Sequence, residues 1–239
     1  RMKTYKGDKL SETLETLGCI MLAHVPVIKG NFNPKAKFLA IMVKRLLDGY
    51  LDPKKVDDLS YMFENTESLK TIEFIEGSNF VTPIAETMEG MFYNCGKGDE
   101  PLKIKRGTNE YSVMAVLSDT SSVKNMSYMF AHSRVVNQFK LEFKTNSVTT
   151  MEGMFEGCKD VSKITMTENS VYFVTDKVKS MKKMFADCVK LSELTFGPSF
   201  STVSAEDMSY MFYNVAKDNE NPTIIDFDKI DNTEKVETM

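Results

Sequence analysis

No stretch of eighteen or more apolar residues occurs in the 239-residue chain, so no membrane-spanning helix is expected in it. Histidine is almost absent: His24 and His132 are the two, and neither stands in a spacing that marks a metal site or an activated nucleophile. The glycine-bearing stretch GKGDEP from Gly96 lacks the terminal Lys-Ser/Thr of a phosphate-binding loop. Four cysteines in a chain of this length make no disulfide framework. Cys19, in TLGC, follows the polar stretch SETLETLG, where a lipid-attachment signal needs a continuous apolar segment. A basic excess is missing too: net charge is −4 and the pI about 5.4, which argues against nucleic acid as a partner. These absences lead to the expectation of a chain without a catalytic site, cofactor or metal. The alternative enzyme reading would have to place a site at His24 or His132, in the first 52 residues or in an excursion over 96–122.

Charge is unevenly placed. Residues 1–55 carry eleven Lys/Arg against five Asp/Glu, whereas residues 199–239 carry three against nine. Opposite excesses at the two ends allow head-to-tail contacts between copies.

What the chain does have is an internal repeat. VKSMKKMF from Val178 returns as VDDLSYMF from Val56, AETMEGMF from Ala85, VKNMSYMF from Val123, VTTMEGMF from Val148 and AEDMSYMF from Ala205, and Val236–Met239 begins a seventh copy. Between motif phenylalanines the spacings are 29, 38, 25, 30 and 27 residues, from Phe63 through Phe92, Phe130, Phe155 and Phe185 to Phe212. Periods in this range mark stacked repeats. Starting at Arg1 and stopping inside a copy, the chain reads as a portion of something longer.

Projected at about 100° per residue, Val178, Met181, Met184, Phe185 and Cys188 share one stripe, which predicts an amphipathic helix of two to three turns in each unit. Leu191-x-x-Leu194-x-Phe196, mirrored by Leu69-x-x-Ile72-x-Phe74 and Val161-x-x-Ile164-x-Met166, predicts a short strand after it. The expected fold is an α/β repeat solenoid, leucine-rich-repeat-like, of helix-turn-strand units with a short parallel sheet on one face and helices on the other. Residues 53–239 form its six units and the start of a seventh. Residues 1–52 match no unit and read as a helical N-terminal cap, with one helix ending before Pro26 and a second from Pro34 to about Tyr50.

The M-x-x-M pairs could be read as soft copper ligands. Leu59 replaces the first Met in one copy, and every pair lies on the Val/Phe stripe, which is a packing role. Cys95, Cys158 and Cys188 exchange with Thr66, Ser133 and Val215 at one motif position, so buried, reduced thiols are expected there, without disulfides between units.

V-x-x-M-x-x-M-F-x-x-C combined with L-x-x-L-x-F resembles the BspA-like leucine-rich-repeat family over residues 53–239. The resemblance implies a bacterial surface or secreted protein engaged in adhesion or partner recognition. With no catalytic constellation in view, a non-catalytic module binding a protein or glycan is expected, with a structural spacer for a missing domain as the alternative. Its binding surface would be the outward strand residues Glu73, Lys103, Lys140, Glu142, Thr165, Thr195 and Asp226, a charged and hydroxyl-bearing row.

Overall fold

The computed structural model describes residues 27–29, 57–65, 71–74, 84–96, 103–106, 109–111, 120–134, 138–166, 172–219 and 224–225. The expected cap helices, His24 and the start of the seventh copy lie outside the described residues.

The repeated motif is not a helix. In the copy from Val148, the N–H groups of Met154, Glu156 and Cys158 donate to the carbonyls of Met151, Gly153 and Phe155 at 3.2, 2.9 and 3.1 Å, each closing a four-residue turn. Gly153 and Gly157 take φ of +57° and +68°, at the third position of the first and last of these turns. The equivalent positions in the other units also have positive φ: Tyr61 and Asn65, Gly90 and Asn94, Tyr128 and His132, Lys183 and Asp187, Tyr210 and Asn214. An α-helix needs negative φ throughout and donors reaching back four residues. A left-handed residue every fourth position prevents it.

The gain that outweighs a helix lies between units. Met151, Gly153, Phe155 and Gly157 send their N–H groups to the carbonyls of Ser180, Lys182, Met184 and Ala186 in the next unit, at 2.8–2.9 Å. Donors therefore alternate between the turn and the neighbouring unit, and Glu152 N–H is taken by Thr150 Oγ1. Every backbone donor from Met151 to Cys158 is satisfied. A helix this short would leave its first four N–H groups without partners and is marginal in water. Parallel bridges carry the same arrangement through all six units, from Asp58 to Thr87, Asn125, Thr150, Ser180 and Asp207.

These linked turns bring Met151, Met154, Phe155 and Cys158 to one side as a helix would, and all four are fully buried. The motif phenylalanines form a column, with centroids 5.2–5.8 Å apart and rings within 16° of parallel from Phe63 to Phe212.

Strands follow the motif. β5 (Gln138–Leu141), β6 (Lys163–Met166), β7 (Glu193–Thr195) and β8 (Ile224–Ile225) pair in parallel, in that order. Their inward residues Phe139, Leu141, Ile164, Met166 and Leu194 close the core against the motif. A separate sheet has the order β1 (Val27–Lys29), β2 (Thr71–Phe74), β3 (Lys103–Arg106), β4 (Asn109–Tyr111). Here β2 and β3 are parallel while β1 and β4 run antiparallel at the edges. The 96–122 excursion thus holds the strand of the second unit and a hairpin partner. β4 occupies the edge of β3, and the strand layer is divided in two while the motif ladder continues past it.

Candidate functional site

The outward face of β5–β7 presents two registered rows. One is Gln138, Lys163 and Glu193; the other is Lys140, Thr165 and Thr195. Lys140 and Glu142 are exposed and paired at 2.5 Å, and Lys163 reaches Glu193 across the strands at 2.7 Å. Thr195 Oγ1 donates to Glu193 Oε1 at 3.5 Å, while the buried Thr165 Oγ1 has no hydrogen-bond partner among the described residues. Four of the expected residues, Lys140, Glu142, Thr165 and Thr195, therefore share this face. Glu73 and Lys103 belong to the other sheet, where Glu73 registers with Lys105 and Lys103 with Thr71. Asp226 lies outside the described residues. A single row through all seven is not formed, because β4 interrupts the strand layer. The expected row also omits Gln138, Lys163 and Glu193, although each stands two residues before a named position and strand alternation puts it on the same face.

At the end of the motif a groove of about 350 Å³ is lined by His132, Lys159, Asp187, Asn214, Lys217 and Asp218. Its floor is the row of left-handed residues. Asn214 Nδ2 donates to Asp187 Oδ1 at 2.9 Å, and the His132 imidazole occupies the space that a Cβ at Gly157 would need. The ring meets Tyr93 edge-on at 5.4 Å and hydrogen-bonds no carboxylate or thiol among the described residues. Nor do the described residues hold a group of three or more His, Cys, Asp or Glu able to bind a metal ion.

Titratable groups in the stack are tuned for burial. Cys95, Cys158 and Cys188 are buried. Burial pushes the Cys158 thiol up to about 12 and raises that of Cys188. Their Sγ atoms lie 3.0 and 3.2 Å from the carbonyls of Phe130 and Phe155 in the preceding unit, so the position uses a small weak donor as well as volume. Tyr61 and Tyr128 are held well above the usual phenol range, first by burial and then by hydrogen bonds to Glu89 and Glu152. At the rim, Lys190 and Arg134 contact Asp160 at 2.9 and 2.7 Å. The Lys190 hydrogen bond, opposed by partial burial and aided by Arg134, holds Asp160 below the usual carboxylate value.

Comparison with known proteins gives one family. The model of DUF285, described as a Mycoplasma protein of unknown function, matches residues 24–117 and 108–227, and the chain belongs to that family. A short segment of 51 residues is 43% identical to DNA-directed RNA polymerase III subunit RPC2 of Schizosaccharomyces pombe. That segment is 21% of this chain and 4% of the subunit, so the chain spans a small fraction of that relative. No solved structure matches. No helix among the described residues is long and apolar enough to cross a membrane.

Proposed function

We propose that this DUF285 member is a non-catalytic binding module of a bacterial surface or secreted protein, built as a leucine-rich-repeat-like solenoid of the BspA-like kind. It recognises a protein or glycan through the outer face of β5–β7. The observation that carries the reading is the division of labour within each unit. Met, Phe and Cys of the motif are consumed by the core, while the paired strands hold Lys140, Lys163, Glu193 and Thr195 on their outer face. Lysines, carboxylates and hydroxyls in registered rows offer donors and acceptors at strand spacing, which suits an extended polar partner.

The test is a binding screen of the folded full chain against arrays of extracellular proteins and glycans. A ligand whose binding is lost in Lys140→Ala/Lys163→Ala/Thr195→Ala, with unchanged thermal stability, supports the reading. Absence of any signal above background, or binding indifferent to the triple substitution, counts against it.

A further inference from the structure

The six motif copies carry a pairing rule that no unit shows by itself. Units with Ser-Tyr before Met-Phe, at Ser60–Tyr61 and Ser127–Tyr128, are each followed by a unit with Thr-Met-Glu-Gly, at Thr87–Gly90 and Thr150–Gly153. Both junctions are built alike. The serine and threonine hydroxyls bond across the units, Ser60 to Thr87 at 3.0 Å and Ser127 to Thr150 at 2.9 Å. The tyrosine hydroxyl donates to the next unit's glutamate, Tyr61 to Glu89 and Tyr128 to Glu152. The tyrosine ring lies over the next unit's glycine so closely that a Cβ at Gly90 or Gly153 would collide with it. Backbone bonds from Tyr61 to Glu89 and from Tyr128 to Glu152, at 2.8 and 2.7 Å, complete each junction. Hydroxyl, carboxylate and missing side chain thus form a three-part complement to Ser-Tyr.

A third Ser-Tyr unit stands at Ser209–Tyr210; its complement is not among the described residues, and Thr238-Met239, which begin the next copy in the sequence, match only the Thr-Met half of it. Tyr210 is 61% exposed, and its hydroxyl and N–H bond to no described residue. Tyr213, beside it at 5.9 Å, is 54% exposed, and Phe212 is only partly buried where the other five motif phenylalanines are fully so. Ser209 is already set as in the other two units, its N–H held by Asp207 Oδ1 at 2.8 Å as that of Ser60 is by Asp58.

We propose that the Ser209–Tyr213 edge is a docking site for a repeat unit carrying Thr-Met-Glu-Gly-Met-Phe, which extends the stack by pairing its backbone in parallel with residues 207–214. The two internal junctions identify the occupant, since they show the same edge filled twice by that chemistry and by no other. A second copy of this chain is a poor fit at its opposite end, because the unit there reads Leu59-Ser60-Tyr61 and has neither the glutamate nor the glycine. The proposal stands independently of the strand-face reading.

A synthetic peptide with the sequence of residues 148–157 is titrated into the full chain by calorimetry, with tyrosine resonances followed by NMR. Saturable one-to-one binding that shifts Tyr210 and Tyr213 is expected. Glu152→Gln with Gly153→Ala in the peptide, or Tyr210→Ala in the protein, should each weaken it about tenfold or more, as loss of a charge-assisted bond does. No binding, or equal binding of the altered peptide, overturns the proposal. So does concentration-dependent self-association of the chain alone that buries Tyr210, since that assigns the edge to a second copy.

Discussion

Residue by residue, the stack distinguishes positions that carry volume from those that carry conformation. Phe185 lies between Phe155 and Phe212, both at 5.8 Å, and is fully buried. Phe185→Ala should lower stability by about 3–5 kcal/mol, measured by denaturant unfolding, and a loss under about 1 kcal/mol would mean the column is not core. Ala216 is a different case, since it sits at φ +58° with a Cβ that this region penalises. Ala216→Gly should therefore raise stability, by up to about 1 kcal/mol, and a fall in the unfolding midpoint would show that the left-handed turn there is not formed. Asp160 supplies a pH-dependent contribution. Its folded pKa lies below the unfolded one, so its stabilisation is full above the ordinary carboxylate value near 3.9 and is lost as pH falls through the folded value. Because it is a rim pair, Asp160→Asn should cost at most about 1 kcal/mol near neutrality and flatten the acid limb of stability against pH. An unchanged acid limb would sink the assignment.

At the scale of the element, the motif and the strand differ in how legible they are. The strands are legible in Ile164 and Met166 or Phe139 and Leu141, because a single polar residue between two apolar ones puts both on one face of an extended chain and on opposed faces of a helix. The motif is ambiguous, because linked four-residue turns and a helix bury the same spacing, and Met151, Met154, Phe155 and Cys158 fit both. The distinguishing signal is the series Asn65, Asn94, His132, Gly157, Asp187 and Asn214, one residue at the same place in each unit. Asn, Asp, His and Gly are residues that tolerate positive φ, and they recur where a continuing helix has no use for them. Gly153 tests this element directly. Gly153→Ala places a Cβ at φ +57° against the Tyr128 ring, so it should destabilise by about 1 kcal/mol or more. In the Tyr128→Ala background the penalty should shrink to the backbone part, and a double-mutant cycle with no coupling would contradict the junction as described.

Across the whole molecule, the one-dimensional plan is visible in the spacing of the phenylalanines, and the long Phe92–Phe130 gap marks an excursion of a strand pair or loop, but where its strands pair is not visible. Nothing in GKGDEPLKIKRGTNEY states that its second strand turns back and takes the edge of β3, since strand pairing is a long-range choice that local pattern does not encode. For that reason the expected binding row runs through seven residues, whereas the described face of β5–β7 holds four of them together with Gln138, Lys163 and Glu193. With the Met, Phe and Cys of each unit committed inward, the proposed binding falls to outer faces and open edges. All of this depends on units joined by backbone hydrogen bonds and not by packed helices. The direct measurement is of through-hydrogen-bond scalar couplings by NMR. The account predicts couplings from the amide nitrogens of Met151, Gly153, Phe155 and Gly157 to the carbonyl carbons of Ser180, Lys182, Met184 and Ala186. Couplings from those amides to carbonyls four residues earlier in the same unit would show a helix and contradict it.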